Sequence, residues 1–125
     1  MGIIDTNDVG DILNVPSEKS LFWTRILGKI EPGKEYDEPG CSSNIDKVLS
    51  ILKVNNIIVG HTPQSFLYND GINSTCGKHI WRVDNGSSMA FHYLDKKYIE
   101  TGKIDPSREP QVLEILNDKE FNILK

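Results

Sequence analysis

The sequence lacks any clustered run of lysine or arginine, and its 14 basic residues are outnumbered by 18 acidic ones. A nucleic-acid-binding surface needs clustered cations against phosphate, so no nucleic-acid partner is expected. The longest apolar stretches, such as Ile57-Ile58-Val59, are too short to span a bilayer, and no membrane association is expected. No signal peptide is recognisable among the first residues, because acidic residues interrupt them, and a cytoplasmic location is predicted.

Cysteine is scarce as well, with only Cys41 and Cys76 in the chain. The two can pair in principle, but without a secretory signal we expect reduced thiols. The sequence also lacks a nucleophile elbow, a glycine-rich phosphate loop and an HExxH motif. Any chemistry must therefore be sought in less common arrangements of residues.

What is present fits one domain of 125 residues with an ordinary globular composition, 38% hydrophobic and 26% charged. Residues 1–20 are polar and irregular, and residues 21–125 form the expected folded part. The clearest helix covers about residues 43–54, where Ile45, Val48, Leu49 and Leu52 fall at i, i+3, i+4 and i+7. Ser42, Ser43 or Asn44 is the expected cap of that helix.

The rest of the chain predicts short strands and turns. Residues 57–59 and 79–83 indicate strands, because they are rich in β-branched and aromatic residues, and residues 65–77 indicate a loop around Asn69-Asp70-Gly71. Two hairpins are expected, one pairing residues 89–94 with 98–99 and the other pairing residues 112–116 with 121–124. The predicted fold class is α/β, with one clear helix followed mostly by strands and hairpins.

The turn Gly60-His61-Thr62-Pro63 places a histidine just past the carboxyl end of a buried strand, where ligands of α/β sheets usually lie. A neutral imidazole there suits a divalent transition metal. Gly60 removes a side chain that would crowd the metal, and Pro63 stiffens the exit. The alternative is a structural or solvated histidine, which is the more frequent role of a histidine in a turn.

Two further segments contain candidate residues. In Trp23-Thr24-Arg25, an arginine beside an anchored aromatic can present its planar fork to a phosphate. A core tryptophan followed by a surface arginine is the favoured interpretation of these three residues alone. In the segment 84–88, Asp84 and the two serines suggest a nucleophile or a metal site. A turn in which Asp84 and Ser87 accept backbone N–H groups is the simpler interpretation. His79 and His92 are interpreted as structural.

These segments occur in an order that resembles the calcineurin-like metallophosphoesterases, within them the bacterial-type serine/threonine phosphatases often called Shewanella-like phosphatases. The resemblance spans roughly residues 21–124. Its blocks are Trp23-Thr24-Arg25, Cys41 before the helix, Ile58 to Gln64, Gly71 to Cys76, Trp81 to Phe91, and Gln111 to Leu116.

The resemblance implies a β-sandwich flanked by helices and two divalent metal ions (Mn, Fe or Zn) that activate a water for hydrolysis of a phosphoprotein or phosphomonoester. His61 matches the last metal-ligand histidine of the family. Arg25 matches the arginine that binds the substrate phosphate.

The family's earlier motifs do not occur in this chain: an Asp-x-His, a Gly-Asp-x-x-Asp-Arg-Gly, a Gly-Asn-His-Glu and a further histidine. One histidine cannot hold two divalent ions, so residues 21–125 resemble only the C-terminal half of such a domain and are expected to be inactive alone. The expected partner is an N-terminal half, or the chain itself as a homo-oligomer. The alternatives are a non-catalytic structural or interaction protein derived from that half, and an unrelated small α/β domain.

Overall fold

The computed structural model describes residues 25–38 and 40–125. Helix α1 (Ser42–Leu52) follows directly after Cys41, so the predicted helix is confirmed, and the predicted capping residues 42–44 lie inside its first turn. The helix ends earlier than expected because Lys53 adopts a left-handed conformation and its backbone N–H bonds to the carbonyls of Leu49 and Ser50. This turn directs the chain into the first strand.

A three-stranded sheet forms the centre of the described fold, with strands β1 (Ile57–Val59), β2 (Asn73–Thr75) and β3 (Ile80–Arg82) in the order β1-β3-β2. β1 pairs with β3 in parallel and β2 pairs with β3 antiparallel. The predictions of β1 and β3 as strands are confirmed. The prediction that β1 is buried is wrong, because β1 lies at the edge of the sheet and its central residue Ile58 is 48% exposed.

The prediction of a loop over residues 65–77 is wrong, because this stretch holds most of helix α2 (Gln64–Tyr68) and all of β2. Asn73-Ser74-Thr75 has no alternation of apolar and polar residues, and it is a strand because it pairs with β3.

The prediction of a first hairpin at residues 89–99 is also wrong. Residues Met89–Leu94 form a 3-10 helix and Lys96–Thr101 form helix α3. The side chain of Ser88 accepts a hydrogen bond from the N–H of Ala90, and the side chain of Asp95 accepts one from the N–H of Tyr98. Both are N-cap interactions that favour helical turns over strands.

The second hairpin is confirmed, with β4 (Val112–Leu116) antiparallel to β5 (Glu120–Leu124). Asn117 and Asp118 turn the chain with positive φ angles of 52° and 57°, as tight hairpin turns require. The hairpin contacts the sheet through Phe121, whose ring stacks on Trp81 with centroids 5.0 Å apart.

The apolar core lies between α1 and the sheet and includes Ile45, Leu49 and Ile80 together with both cysteines. The prediction of reduced thiols is wrong, because Cys41 and Cys76 form a disulfide with a Cα–Cα distance of 5.3 Å. Folding places the residue before α1 against the residue after β2, within the distance that a disulfide spans. Both cysteines are fully buried.

The mixed α/β class is therefore confirmed. The described residues form one three-stranded sheet and one hairpin, and the β-sandwich stays a prediction. The predicted segment 1–20 and the start of the predicted domain at residue 21 lie outside the described residues. None of the described helices is both long and apolar enough to cross a membrane.

Candidate functional site

The turn after β1 holds His61 in an unusual backbone conformation. His61 has a φ angle of 57°, in the left-handed region that costs a non-glycine residue about 1–2 kcal/mol. Contacts on its C-terminal side fix the turn: Thr62 is buried, and the N–H of Gln64 donates to the carbonyl of Asp84 at 2.8 Å. The imidazole of His61 is exposed at the carboxyl end of β1, as the sequence predicted.

Arg25 lies against His61, although the two are 36 residues apart in the chain. Its Nε donates to the His61 carbonyl at 3.3 Å, and its Nη2 is 3.3 Å from Nε2 of the imidazole. A guanidinium has only donors, so Nε2 of His61 must be the acceptor in this contact. The ring proton is therefore assigned to Nδ1.

Close packing between the segment after Arg25 and the His61 turn explains this contact. A Cβ added to the buried Gly28 would lie 2.5 Å from Oγ1 of Thr62, so only glycine fits there. The side-chain amide of Gln64, which is fully buried, donates to the carbonyls of both Gly28 (3.0 Å) and Thr62 (2.8 Å). Neither Gly28 nor Gln64 was predicted from the sequence. The sequence indicated Gln64 only as the last residue of the segment Ile58 to Gln64, one of the segments that carry the family resemblance.

The described residues do not by themselves form a metal site. They contain no group of three or more His, Cys, Asp or Glu side chains placed to hold an ion. His61 supplies a single imidazole, and its Nε2 already accepts from Arg25. Since catalytic metal ions need several convergent ligands, the two-metal centre implied by the resemblance does not fit these residues alone.

The other sequence candidates have structural contacts. Trp23 and Thr24 lie outside the described residues. Asp84 Oδ1 accepts from the N–H of Gly86 at 3.1 Å, which is the predicted turn interaction. Nδ1 of His79 is 2.7 Å from the Asn55 carbonyl oxygen, and the ring of His92 packs against Tyr98 with centroids 4.1 Å apart.

A buried ion pair lies further along the chain, beside the segment 84–88. Arg108 donates to Oδ2 of Asp95 at 2.5 Å and to the carbonyls of Gly86 and Ser88. Burial alone would raise the pKa of Asp95, but backbone N–H groups of Asp105 and Tyr98 and the Arg108 guanidinium outweigh it and lower that pKa to about 2. Through its bonds to Gly86 and Ser88, Arg108 fixes the segment 84–88. The carbonyl of Asp84 in that segment accepts the backbone N–H of Gln64.

Comparison with known proteins gives one informative relative. The chain is 38% identical over 110 residues to "Uncharacterized protein R398" of Acanthamoeba polyphaga mimivirus, in a match that covers 84% of this chain. The chain spans only 40% of that relative's length. No protein-family model matches the sequence. No solved structure matches it.

Proposed function

We propose that the chain is the C-terminal part of a calcineurin-like metallophosphatase domain. Its active site is completed by the N-terminal half of that domain, either in the same longer polypeptide or in a second one. The chain contributes Arg25 for the phosphate and His61 as one ligand of the metal centre. The reaction is hydrolysis of a phosphoprotein or phosphomonoester, and the chain alone is inactive.

The contact between Arg25 and His61 is the observation that supports this proposal. The two residues lie in separate segments that the sequence analysis singled out, and they meet at the carboxyl end of β1. Open α/β sheets bind ligands at that end of their strands. Buried packing between Gly28 and Thr62 brings the two segments together. The contact of Arg25 with His61 therefore depends on the interior of the fold and is more than an encounter of two surface side chains.

Each residue has a defined task in the proposed site. The contacts with His61 involve Nε and Nη2 of Arg25, and we assign the remaining N–H groups of the fork to phosphate oxygens. His61 would ligate a metal ion through Nε2, the ring nitrogen that accepts from Arg25 in this structure. Its single lone pair would then turn from the Arg25 N–H to the metal, and Nη2 of Arg25 would be released to the phosphate. The divalent ions would supply the activated water, and their other ligands would come from the N-terminal half of the domain. Residues 25–38 and 40–125 contain no group of three or more His, Cys, Asp or Glu side chains that could hold an ion.

A complementation assay tests the proposal. The part of the mimivirus relative outside the match is expressed as a separate chain, mixed with this protein and Mn²⁺, and assayed with p-nitrophenyl phosphate. We expect turnover in the mixture that neither chain gives alone. Arg25→Ala and His61→Ala should abolish it, whereas His92→Ala, in a ring contact, should not. The proposal fails if the mixture gives no turnover, or if the first two substitutions leave turnover unchanged.

A second candidate is an interaction module that associates with further copies of itself, and the exposure of α1 favours it. Only Ile45 and Leu49 of the predicted apolar stripe are buried, while Val48 and Leu52 are 40% and 60% exposed. Ile51, also on α1, is 78% exposed. β1 is an edge strand, and no other strand of residues 25–38 and 40–125 pairs with its outer side. Open edges and exposed apolar side chains of this kind favour association.

Light scattering on the pure chain separates the two candidates. A stable dimer that Ile51→Lys converts to monomer, and that the exposed-site control Glu100→Lys does not change, would support the interaction module. A monomer at all concentrations would leave only the first candidate.

A further inference from the structure

We propose that the buried side chain of Gln64 is the positioning residue of the Arg25–His61 pair, and that Asn73 and Arg82 fix its orientation. The inference rests on the proposed function for the importance of that pair. The positioning itself can be tested without any catalysis.

Gln64 connects the two segments through one atom. Its Nε2 donates to the carbonyl of Thr62 at 2.8 Å, one residue after His61, and to the carbonyl of Gly28 at 3.0 Å, three residues after Arg25. The amide is fully buried, so water does not replace either bond when it is lost. Gln64 therefore restrains both segments from the protein interior, on the side away from solvent.

The orientation of the Gln64 amide is set by Asn73. Nδ2 of Asn73 donates to Oε1 of Gln64 at 3.3 Å and to the Gly71 carbonyl at 3.0 Å. This leaves the Gln64 Nε2 directed at the two carbonyls. If the Gln64 amide were flipped, its NH₂ group would face the NH₂ group of Asn73, and its oxygen would face the carbonyl oxygens of Gly28 and Thr62. Neither arrangement allows a hydrogen bond.

Asn73 is in turn oriented by Arg82, which has only donors. Nε of Arg82 donates to Oδ1 of Asn73 at 2.7 Å, and Nη2 donates to the same oxygen. Nη1 donates to the Ile30 carbonyl at 2.6 Å, two residues after Gly28. Arg82 is 1% exposed, so its donors depend on these protein oxygens. Arg82 thus donates to Asn73, Asn73 donates to Gln64, and Gln64 donates to the two backbone carbonyls. Only one orientation of each side-chain amide satisfies all of these bonds.

The readout is the tautomer of His61, because the Arg25 contact places the ring proton on Nδ1. Side-chain nitrogen NMR of the labelled chain reports the proton position directly, and Arg25→Ala gives the spectrum of His61 without the Arg25 contact. Gln64→Met keeps the length of the side chain and removes both backbone bonds. Gln111→Met is the control for loss of a glutamine amide. The Gln111 side chain accepts from the Ile72 N–H at 2.7 Å and has no described hydrogen bond to the side chains of Gln64, Asn73 or Arg82.

We expect Gln64→Met to shift the His61 signals most of the way to those of Arg25→Ala, and Gln111→Met to leave them unchanged even if it lowers stability. His61 signals in Gln64→Met that match the unsubstituted chain would overturn the positioning role. If Gln64→Met does not fold, Asn73→Asp is measured instead. It keeps the acceptor for Arg82, loses the donor to Gln64, and should give a partial shift in the same direction.

The two proposals fail in different ways. If Gln64→Met shifts the His61 NMR signals but the complementation assay gives no turnover, the positioning role of Gln64 is retained and the phosphatase proposal is rejected. If the assay gives turnover but Gln64→Met leaves the His61 signals unchanged, the phosphatase proposal is retained and the positioning role is rejected.

Discussion

The disulfide between Cys41 and Cys76 should supply a large share of the stability of the fold. It closes a loop of 35 residues, and cross-linking a loop of about that length lowers the entropy of the unfolded chain by an amount worth about 4 kcal/mol at 25 °C. Small domains are stable by only about 5–15 kcal/mol in total. Reduction should therefore lower Tm by on the order of 15 °C.

The assay compares thermal unfolding of the native chain, the chain reduced after denaturation and refolded in reductant, and the double variant Cys41→Ala/Cys76→Ala. The first two should differ strongly, and the double variant should be unaffected by reductant. Because both cysteines are fully buried, the native disulfide should also resist reductant until the protein unfolds. A change in Tm of about 2 °C or less, with loss of the disulfide confirmed by mass, would refute the argument, since it would leave less than about 1 kcal/mol for the cross-link.

Two further predictions concern packing and acid. Gly28→Ala should destabilise the fold by about 1–3 kcal/mol in urea unfolding, because its Cβ would lie within 2.6 Å of two Thr62 side-chain atoms; Gly60→Ala, with nothing within 4 Å, is the control and should be near neutral. Because the pKa of Asp95 is lowered to about 2, its contribution to stability is present above about pH 4 and should be lost as pH falls toward 2. An acid-unfolding midpoint that does not move in Asp95→Asn would contradict this assignment.

The predictable parts of the fold are those whose local signals agree with the tertiary contacts. The periodic apolar residues of α1, the β-branched run of β1 and the Asn117-Asp118 turn of the last hairpin each specify their element locally. The first predicted hairpin failed because the apolar residues from Met89 to Leu94 suggested a strand, whereas the decisive groups were the capping side chains of Ser88 and Asp95. The cap of α3 is polar and lies outside the apolar segment, so a search for apolar runs overlooks it.

The two residues proposed for the site were found from the sequence, but what holds them together was not. His61 is recognisable because it follows a short apolar strand, and Arg25 because of the resemblance. Gln64 carries no such signal, since glutamine is usually exposed and its burial depends on partners from three separate segments. The disulfide was missed for a related reason: the spacing of the two cysteines says nothing about their distance in the fold. Disulfides are typical of proteins that fold in oxidising environments, so the cytoplasmic location stays a prediction.

Polar side chains make up much of the buried interior of residues 25–38 and 40–125, and this bears on how the site is held. Arg82 and Arg108 are the largest fully buried side chains among residues 25–38 and 40–125. Arg108 has a carboxylate partner in Asp95, whereas the hydrogen bonds described for Arg82 all go to carbonyl and amide oxygens.

Burial of Arg82 against neutral oxygens lowers the pKa of its guanidinium and is costly in free energy. Apolar residues of similar volume would often fill such a position at lower cost in stability. The guanidinium instead gives Asn73 and, through it, Gln64 a fixed orientation, which an apolar side chain cannot provide. The polar centre therefore favours one defined placement of Arg25 and His61 at the expense of stability, and the disulfide offsets part of that cost.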